Sequence, residues 1–507
     1  MCRYAFDHDA DIGPRRAKVS STLTDSVRKT CHAIRHTLIS ADLYDQDGHV
    51  APFRIGIAPF PLTSEIYHWL ERLGPALLSF YKALNQMYHD SATGHIPVWF
   101  SQYLDQGKPD TLIEYGRSNR FRFDLPGVMR PDLILTDDDR FIATELDAVP
   151  GGIGLTALLS VLYMQSGDSV LGGATGMCDG FARMIRSYAA GSDAVTLAVV
   201  VSEESRDYRP EMRWLTHALW HTGLRATSLS PEEVSCREGG LWASIRHPGQ
   251  PAEKVAQPEE TQIDVLYRFF ELFDLANVPQ SARMLDAAKK RRVSLTPPAK
   301  TYLEEKSAFA LFHHPALAPL WRRHLGEETD LFLRQIFPET WVLDPSPMPP
   351  QGIIPGLTLR GTAVSNFRSL GEATQKERHF VIKPSGFSEL AWGSRGVVMG
   401  HDLSGELWRK ALDRALSSFS TTPHVLQPFY KGKKVQTAYY DFNREAVVEM
   451  EGRVRLSPYY FVAEGEARLG GILATICPLD KKNIHGMAEA VMVPCGTPLA
   501  DNHAHHY

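Results

Sequence analysis

The most restrictive feature of the 507-residue sequence is a pair of short apolar runs on either side of an acidic turn. Asp132 begins the first run, DLILT, the turn spans Asp137 to Arg140, and the second run, FIATELD, ends at Asp147. Two such runs separated by a polar turn predict a β-hairpin. Because side chains alternate between the two faces of a strand, Glu145 and Asp147 share a face, with Asp132 leading the partner strand. The pattern therefore predicts three carboxylates close together.

Three converging carboxylates repel one another unless a cation lies between them. Mg²⁺ prefers oxygen ligands and is commonly shared between protein carboxylates and nucleotide phosphates. We therefore expect a magnesium site formed by Asp132, Glu145 and Asp147. The alternative is a solvent-facing hairpin whose acidic side chains are simply hydrated.

The residues around the hairpin favour an anion site beside these carboxylates. The segment VPGGIG, residues 149–154, precedes the apolar run TALLSVLYM, so the first N–H groups of a helix would point toward the hairpin. Arg130 shares the strand face of Asp132 and could stabilise a phosphate or a developing negative charge, or could form a salt bridge with the same acids. Arg455, on the strand RVRLSPYYF, is a candidate for binding a phosphate or carboxylate, and a surface position is equally compatible.

A second group of candidate residues surrounds the strand FVIKP. Lys383 ends this strand, and the glycine-bearing loop SGFSELAWGSRG then returns to another strand. A lysine in this position is ordinarily a surface residue with a buried stem, but the loop after it could close over phosphates. The strand HVLQPFY offers main-chain groups near Gln427 and Phe429 to the edge of an adenine. Loop residues that could contribute phosphate contacts are Ser385, Gly386, Gly393 and Arg395.

The remaining sequence predicts a mixed α+β protein of several units. Apolar spacing over residues 64–88 predicts one bent helix or two helices, with Ser64 as the cap and a break at Gly74 and Pro75. Residues 195–275 alternate buried strand, helix and strand, a pattern typical of a Rossmann-like layer. Beyond residue 380, short strands predict mostly antiparallel sheet, with a helix over residues 404–418.

Composition points to a small-molecule partner. The net charge is -5, with 54 basic and 59 acidic residues and no basic stretch suited to nucleic acid or an anionic membrane. We expect neither as a partner, and the sequence leaves the oligomeric state open. The six cysteines form no CxxC pair, and the acidic N-terminal residues do not resemble a leader, so we expect a cytoplasmic protein.

The segment RPDLILTDDDRFIATELDAVPGG resembles the metal-binding hairpin of the ATP-grasp superfamily, in which an R-x-D strand precedes an E-x-N strand. Most members place this hairpin last, whereas here it precedes the Lys383 strand by more than two hundred residues. That order resembles the circularly permuted synthetase domain of glutathionylspermidine synthase, and residues 195–275 are similar in order and character. Asp147 stands where the family has asparagine, and the loop after Lys383 lacks the family's acidic and glycine run.

The resemblance implies an α+β, circularly permuted ATP-grasp fold with an inserted Rossmann-like α/β subdomain. It implies that the cofactors are ATP and Mg²⁺, that Lys306 also contacts ATP, and that a small-molecule carboxylate and an amine are joined through an acyl phosphate. The alternatives are an ATP-grasp phosphotransferase and a catalytically silent nucleotide-binding protein. The implied units are a mostly helical scaffold (1–120), the hairpin with its following helix (121–165), the Rossmann-like subdomain (166–295) and the nucleotide-binding lobes (296–507).

Overall fold

The structure, a computed structural model, describes residues 21–44, 52–189, 194–238, 240–245, 260–349, 351–481 and 484–498. Twelve helices lie in this part of the chain, together with short 3-10 turns. None of these helices is both long enough and apolar enough to cross a membrane. The helices are α1 (Ser21–Ser40), α2 (Ser64–Ala92), α3 (Trp99–Asp105), α4 (Asp110–Arg117), α5 (Ile153–Gln165), α6 (Gly176–Tyr188), α7 (Arg209–Leu219), α8 (Ser281–Lys289), α9 (Ser307–His313), α10 (Ala318–Leu325), α11 (Glu327–Ile336) and α12 (Gly405–Ser417).

The strands of the described residues form several separate sheets, so the protein has a mixed α+β architecture. The strands are β1 (Arg54–Ile55), β2 (Val128–Leu135), β3 (Phe141–Asp147), β4 (Thr196–Val201), β5 (Arg225–Leu229), β6 (Ser235–Arg237), β7 (Gly240–Ser244), β8 (Glu260–Gln262), β9 (Val265–Phe269), β10 (Ser294–Thr296), β11 (Trp341–Val342), β12 (Thr358–Leu359), β13 (Thr362–Ala363), β14 (Phe380–Pro384), β15 (Val398–Met399), β16 (His424–Pro428), β17 (Lys434–Asp441), β18 (Ala446–Ala463), β19 (Glu466–Pro478) and β20 (Val491–Pro494).

The largest sheet brings the predicted hairpin beside the C-terminal strands. Its order is β1-β20-β19-β18-β2-β3, and β17 also pairs with β18. The hairpin β2–β3 is confirmed, with Asp132 opposite Glu145 and Arg130 opposite Asp147. A register shift after Asp132 leaves Thr144 as an extra residue in β3. Since β2 also pairs with β18, strands from the two ends of the chain meet at the acidic residues.

The predicted α/β layer is confirmed as a four-stranded parallel sheet in the order β10-β9-β4-β5. Helix α7 connects β4 to β5, and every residue of β4 is buried, as expected for a parallel strand covered on both faces. A small antiparallel sheet of β6, β7 and β8 lies within the same stretch of chain. A further small sheet contains β12 and β13.

The Lys383 strand belongs to a four-stranded antiparallel sheet in the order β11-β16-β14-β15. Helix α12 packs on it through Trp408, Leu412 and Leu416, which are buried with residues of β14 and β16. Ser404 accepts a hydrogen bond from the N–H of Leu407 at 3.2 Å and caps this helix, as the predicted start implied.

Helix α2 agrees with one form of its prediction and differs from the prediction at its cap. It is one continuous helix, as the single-helix form of the prediction has it, and Gly74 and Pro75 do not divide it into two helices. A Cβ atom at Gly74 would lie 2.6 Å from the ring of Tyr460, and the hydroxyl of Tyr460 donates to the carbonyl of Leu70 at 2.7 Å. The glycine therefore permits close packing of α2 against β18. The cap is Thr63, not Ser64, and it accepts from the N–H of Ile66.

One buried core extends across the large sheet, the parallel sheet and the helices between them. Leu77 of α2, Val199 of β4 and Tyr459 of β18 all belong to it, and α6 packs on β18 and β19. The predicted domain boundary between residues 165 and 166 thus lies within a continuous core. The four predicted units stay predictions.

Candidate active site

Asp132 lies at the centre of a buried group of charges. Its side chain is 8% exposed, and it lies between Arg130 Nε at 3.2 Å and Arg455 Nη1 at 3.0 Å. The hydroxyl of Ser457 donates to Asp132 Oδ1 at 3.0 Å. Burial alone would raise the pKa of Asp132, but the two guanidinium groups, together with the Ser457 hydroxyl and Lys383, outweigh burial, and its pKa is lowered. Asp132 is therefore held ionised.

Arg130 connects β2 to β3 at the open end of the hairpin. Its Nη2 lies 3.0 Å from Asp147 Oδ2, and its Nη1 donates to the carbonyl of Gly151 at 2.9 Å. The other oxygen of Asp147 accepts from the N–H of Val149 at 2.9 Å. The salt bridge considered as an alternative for Arg130 is thus present, to both Asp132 and Asp147. Asp147 holds the turn after β3, and burial raises its pKa.

Two lysines lie against β3 on the side of the Lys383 sheet. Lys306 Nζ is 2.6 Å from Glu145 Oε1, and the two side chains are 9% and 38% exposed. Lys383 Nζ donates to the carbonyl of Thr144 at 2.9 Å, and burial lowers its pKa to about 8. The alternative of a hydrated acidic hairpin does not hold for Asp132, which is buried and paired with two arginines. Glu145 is partly exposed and is paired with Lys306.

Two cavities meet at this group of charges. The smaller, of about 390 Å³, lies between the large sheet and the Lys383 sheet and has apolar walls that include Val381, Met399 and Phe429. The larger, of about 1110 Å³, extends toward the parallel sheet past Tyr208 and Phe269. The residues that line both cavities are Asp132, Glu145, Lys306, Ala391 and Arg455.

Ala391 belongs to the loop between β14 and β15, residues 385–397, which we call the flap. The predicted phosphate donors at its start are engaged elsewhere, because the Ser385 hydroxyl and the Gly386 N–H both donate to Glu305 Oε2. Gly393 lies in the 3-10 turn of the flap. Arg395 Nη1 contacts Glu204 at 2.9 Å, outside the two-cavity junction. Ser385 thus lies at the base of the flap, and its phosphate contact stays a prediction.

Gln427 and Phe429 line the smaller cavity, and two of their polar groups are already bonded. The buried amide of Gln427 donates to Thr340 Oγ1 at 3.1 Å. The main-chain N–H of Phe429 donates to the carbonyl of His379 at 2.8 Å. The N–H of Phe429 is therefore not free to donate to the edge of an adenine. Phe429 forms part of the wall of the smaller cavity.

The expected anion site at the start of α5 is filled by a side chain from α7. Glu211 accepts from the N–H of Gly152 at 2.7 Å and from the N–H of Leu155 at 3.1 Å. Burial raises the pKa of Glu211 to about 7 despite these hydrogen bonds. The prediction that these N–H groups are unobstructed is wrong. Sequence reasoning also missed Ser457 and Glu305, although Glu305 directly precedes Lys306.

The described residues include no group of three or more Asp, Glu, His or Cys side chains arranged to hold a metal ion. The predicted trio of carboxylates is therefore not present as a three-acid cluster. A Mg²⁺ shared with phosphates usually needs only one or two carboxylates. Asp132 and Glu145, opposite each other in the hairpin and lining both cavities, fit that requirement. Asp147, which lines only the larger cavity and is bonded to Arg130, remains a predicted third ligand.

Comparison with known proteins gives a similarity at the level of fold. No family model matches the sequence. No curated protein matches it by sequence either. The apo structure of a glutathione synthetase-like effector from Globodera pallida aligns with 93% of this chain and 97% of its own, with a TM-score of 0.53 and 11% identity. A candidate gamma-glutamylcysteine synthetase from Methylobacillus flagellatus KT covers 87% of this chain and 89% of its own, with a TM-score of 0.36 and 12% identity. The chain thus has a mixed α+β fold similar to that of the glutathione synthetase-like effector.

Proposed function

We propose that this protein is an ATP- and magnesium-dependent ligase that joins a small-molecule carboxylate to an amine through an acyl phosphate. The observation that carries the proposal is the junction of two cavities at Asp132, Glu145, Lys306 and Arg455. A ligase of this kind must hold a nucleotide and two further substrates around one transferring phosphoryl group. Two cavities sharing a wall of cations and carboxylates suit that requirement.

The smaller cavity is the proposed nucleotide site. Its apolar walls suit a purine ring, while Lys383 and Lys306 provide ammonium groups at its inner end. Lys306 is now paired with Glu145, and a bound phosphate offers it a second anionic partner. The larger cavity, with Arg130 and Arg455 at its inner end, is the proposed site for the carboxylate and the amine.

In the proposed reaction, an oxygen of the substrate carboxylate attacks the γ-phosphorus of ATP, and ADP leaves. The amine nitrogen then attacks the acyl carbon, the bond from that carbon to the phosphate oxygen breaks, phosphate leaves with the proton that the amine loses, and an amide forms. Mg²⁺, held by Asp132 and Glu145, would neutralise charge on the phosphates. Lys383 would hold the phosphates in place, and Arg455 would stabilise the negative charge on the transferring group. The flap would exclude water from the acyl phosphate.

The finer assignment is a circularly permuted ATP-grasp ligase similar to glutathionylspermidine synthase. Its support is the position of the β2–β3 hairpin, which precedes the Lys383 strand in sequence yet pairs with β18 in the large sheet. The fold similarity to a glutathione synthetase-like effector is consistent with this assignment. A fold alone does not set a reaction, so the site residues carry the argument.

The test is a screen for ADP release with pairs of carboxylates and amines, with Lys383→Ala as the inactive reference. Lys376→Ala, which replaces an exposed lysine of the same part of the chain, is the control for a lost positive charge. ADP release that requires both partners supports a ligase. A stable phosphorylated product formed without amine would instead identify a phosphotransferase, and Mg-ATP binding without turnover would identify a silent protein.

A further inference from the structure

The base of the flap is attached to a buried ion pair that the proposed reaction does not use. Glu305 Oε1 lies 2.7 Å from Lys108 Nζ, and the two side chains are 1% and 0% exposed. Glu305 also accepts from the hydroxyl of Ser385, from the N–H of Gly386 at 3.2 Å and from the N–H of Phe387 at 3.2 Å. One carboxylate thus binds three donors from the first three residues of the flap and one ammonium group.

The geometry of the chain around Glu305 fixes this contact closely. A Cβ atom at Gly386 would collide with the carbonyl oxygen of Glu304, so only glycine allows the flap to approach here. The side chain of Phe387 packs against the core of the parallel sheet. Ser385 N–H donates to the carbonyl of Pro423 at 2.8 Å. The start of the flap is therefore held on several sides.

Lys108 comes from the scaffold, in the connection between α3 and α4. It follows Gly107, which has a φ of +76° and lies against the backbone of Thr421. Gln106 donates to the carbonyl of Ser420 at 3.0 Å, so this connection also packs against the turn before β16. Lys108 is thus placed by contacts with the turn that adjoins the flap base, and it neutralises the buried Glu305.

The two ends of the flap are held in different ways. The far end makes an ion pair between Arg395 and Glu204, whose side chains are 51% and 33% exposed. Exposed pairs of this kind contribute little, whereas breaking a buried pair leaves an uncompensated charge. Ala391, between the two ends, lines both cavities at their junction. Movement of the flap about its base would therefore carry Ala391 toward or away from the junction.

We infer that Glu305, held by Lys108, is a positioning residue that sets the angle at which the flap leaves β14 and covers the two-cavity junction. The expected change in kcat rests on the proposed function, whereas the expected change in hydrogen exchange at the flap base does not. Glu305 directly precedes Lys306, so the same short segment holds the flap base and presents an ammonium group to the nucleotide site. Lys306 has its own ion pair with Glu145, so its ammonium group should stay at the nucleotide site when Glu305 is replaced.

The test compares Glu305→Gln with wild type by hydrogen exchange of the whole protein without ligands. Glutamine keeps the shape but removes the charge, so the N–H groups of Gly386 and Phe387 should exchange at least tenfold faster. Asp330→Asn is the matched control, since Asp330 is also a buried carboxylate, bonded to Arg334 at 2.9 and 3.0 Å in α11. Exchange at residues 386 and 387 should be unchanged in that variant.

Wild-type exchange at the flap base in Glu305→Gln would overturn the inference. If Glu305→Gln does not fold, Ser385→Ala replaces it, because it removes one donor and leaves the ion pair in place; a change under twofold in that variant overturns the inference as well. Where ligase activity is found, kcat should fall at least tenfold in Glu305→Gln with KM for ATP within threefold of wild type. A failure to find any ligase activity would count against the proposed function alone, since exchange is measured without substrates.

Discussion

Replacement of Glu145 by glutamine should reduce the rate of the reaction much more than it reduces the stability of the fold. The amide keeps the size of the side chain but removes the charge that faces Lys306 at 2.6 Å. Glu145 is 38% exposed but Lys306 only 9%, so the change leaves a buried ammonium group without its partner and should lower the free energy of unfolding by about 1–3 kcal/mol. If Glu145 holds Mg²⁺ at the phosphates, the loss in transition-state stabilisation should be larger, about 3–4 kcal/mol, or about 10²- to 10³-fold in rate.

The assay is the initial rate of ADP release, measured over a range of Mg²⁺ concentrations, together with urea unfolding of the same preparation. Glu451→Gln is the control, because Glu451 is 40% exposed and also lies near a lysine, Lys434 at 3.5 Å, away from the site. The control should match wild type in both measurements. Activity of Glu145→Gln within threefold of wild type, or a loss of stability above about 3 kcal/mol, would refute the reasoning.

Three further predictions follow from the same charges. Asp132→Asn should lower the free energy of unfolding by about 1–3 kcal/mol, measured in urea, because the largely buried Arg455 and Arg130 lose their shared carboxylate while Arg130 keeps its ion pair with Asp147. ATP affinity, measured by calorimetry, should weaken as the pH rises through about 8, where Lys383 loses its proton, and Lys383→Met should lack this dependence. The pKa of Glu211 is raised to about 7, so its contribution to stability is present below its ordinary pKa of 4.5 and is lost as the pH rises to 7. Between pH 4.5 and pH 7 the free energy of unfolding of the wild type should fall by on the order of 3 kcal/mol more than that of Glu211→Gln; an equal fall in the variant would contradict the assignment.

Local sequence patterns were sufficient to predict the strands that form the site. The β2–β3 hairpin, the strand that contains Lys383 and the parallel layer are each recognised from a single stretch of apolar spacing and turn residues. The pairing of Asp132 with Arg130 was also open to prediction, because the two residues are neighbours on one strand. These features depend on residues close together in the chain.

The parts that could not be predicted depend on partners far away in the sequence. The ion pair between Lys306 and Glu145 joins residues on different elements, and no spacing rule connects them. Gly74 was expected to interrupt a helix, but the helix continues through it. The glycine instead allows close packing against Tyr460 of β18, which lies far away in the sequence. Ser385 was expected at a phosphate but donates to Glu305, which tertiary packing brings to the flap.

The pairing of β2 with β18 also bears on how the chain is made. The ribosome releases the hairpin roughly 300 residues before β18, and at about 5–20 residues per second that interval is on the order of 15–60 s. During that time one edge of the hairpin has no strand to pair with, and exposed strand edges favour aggregation. Both sides of β2, which bears Asp132, are covered only once β18, in the last third of the chain, has been synthesised. A truncated chain that ends before β18 should therefore need a chaperone to remain unaggregated.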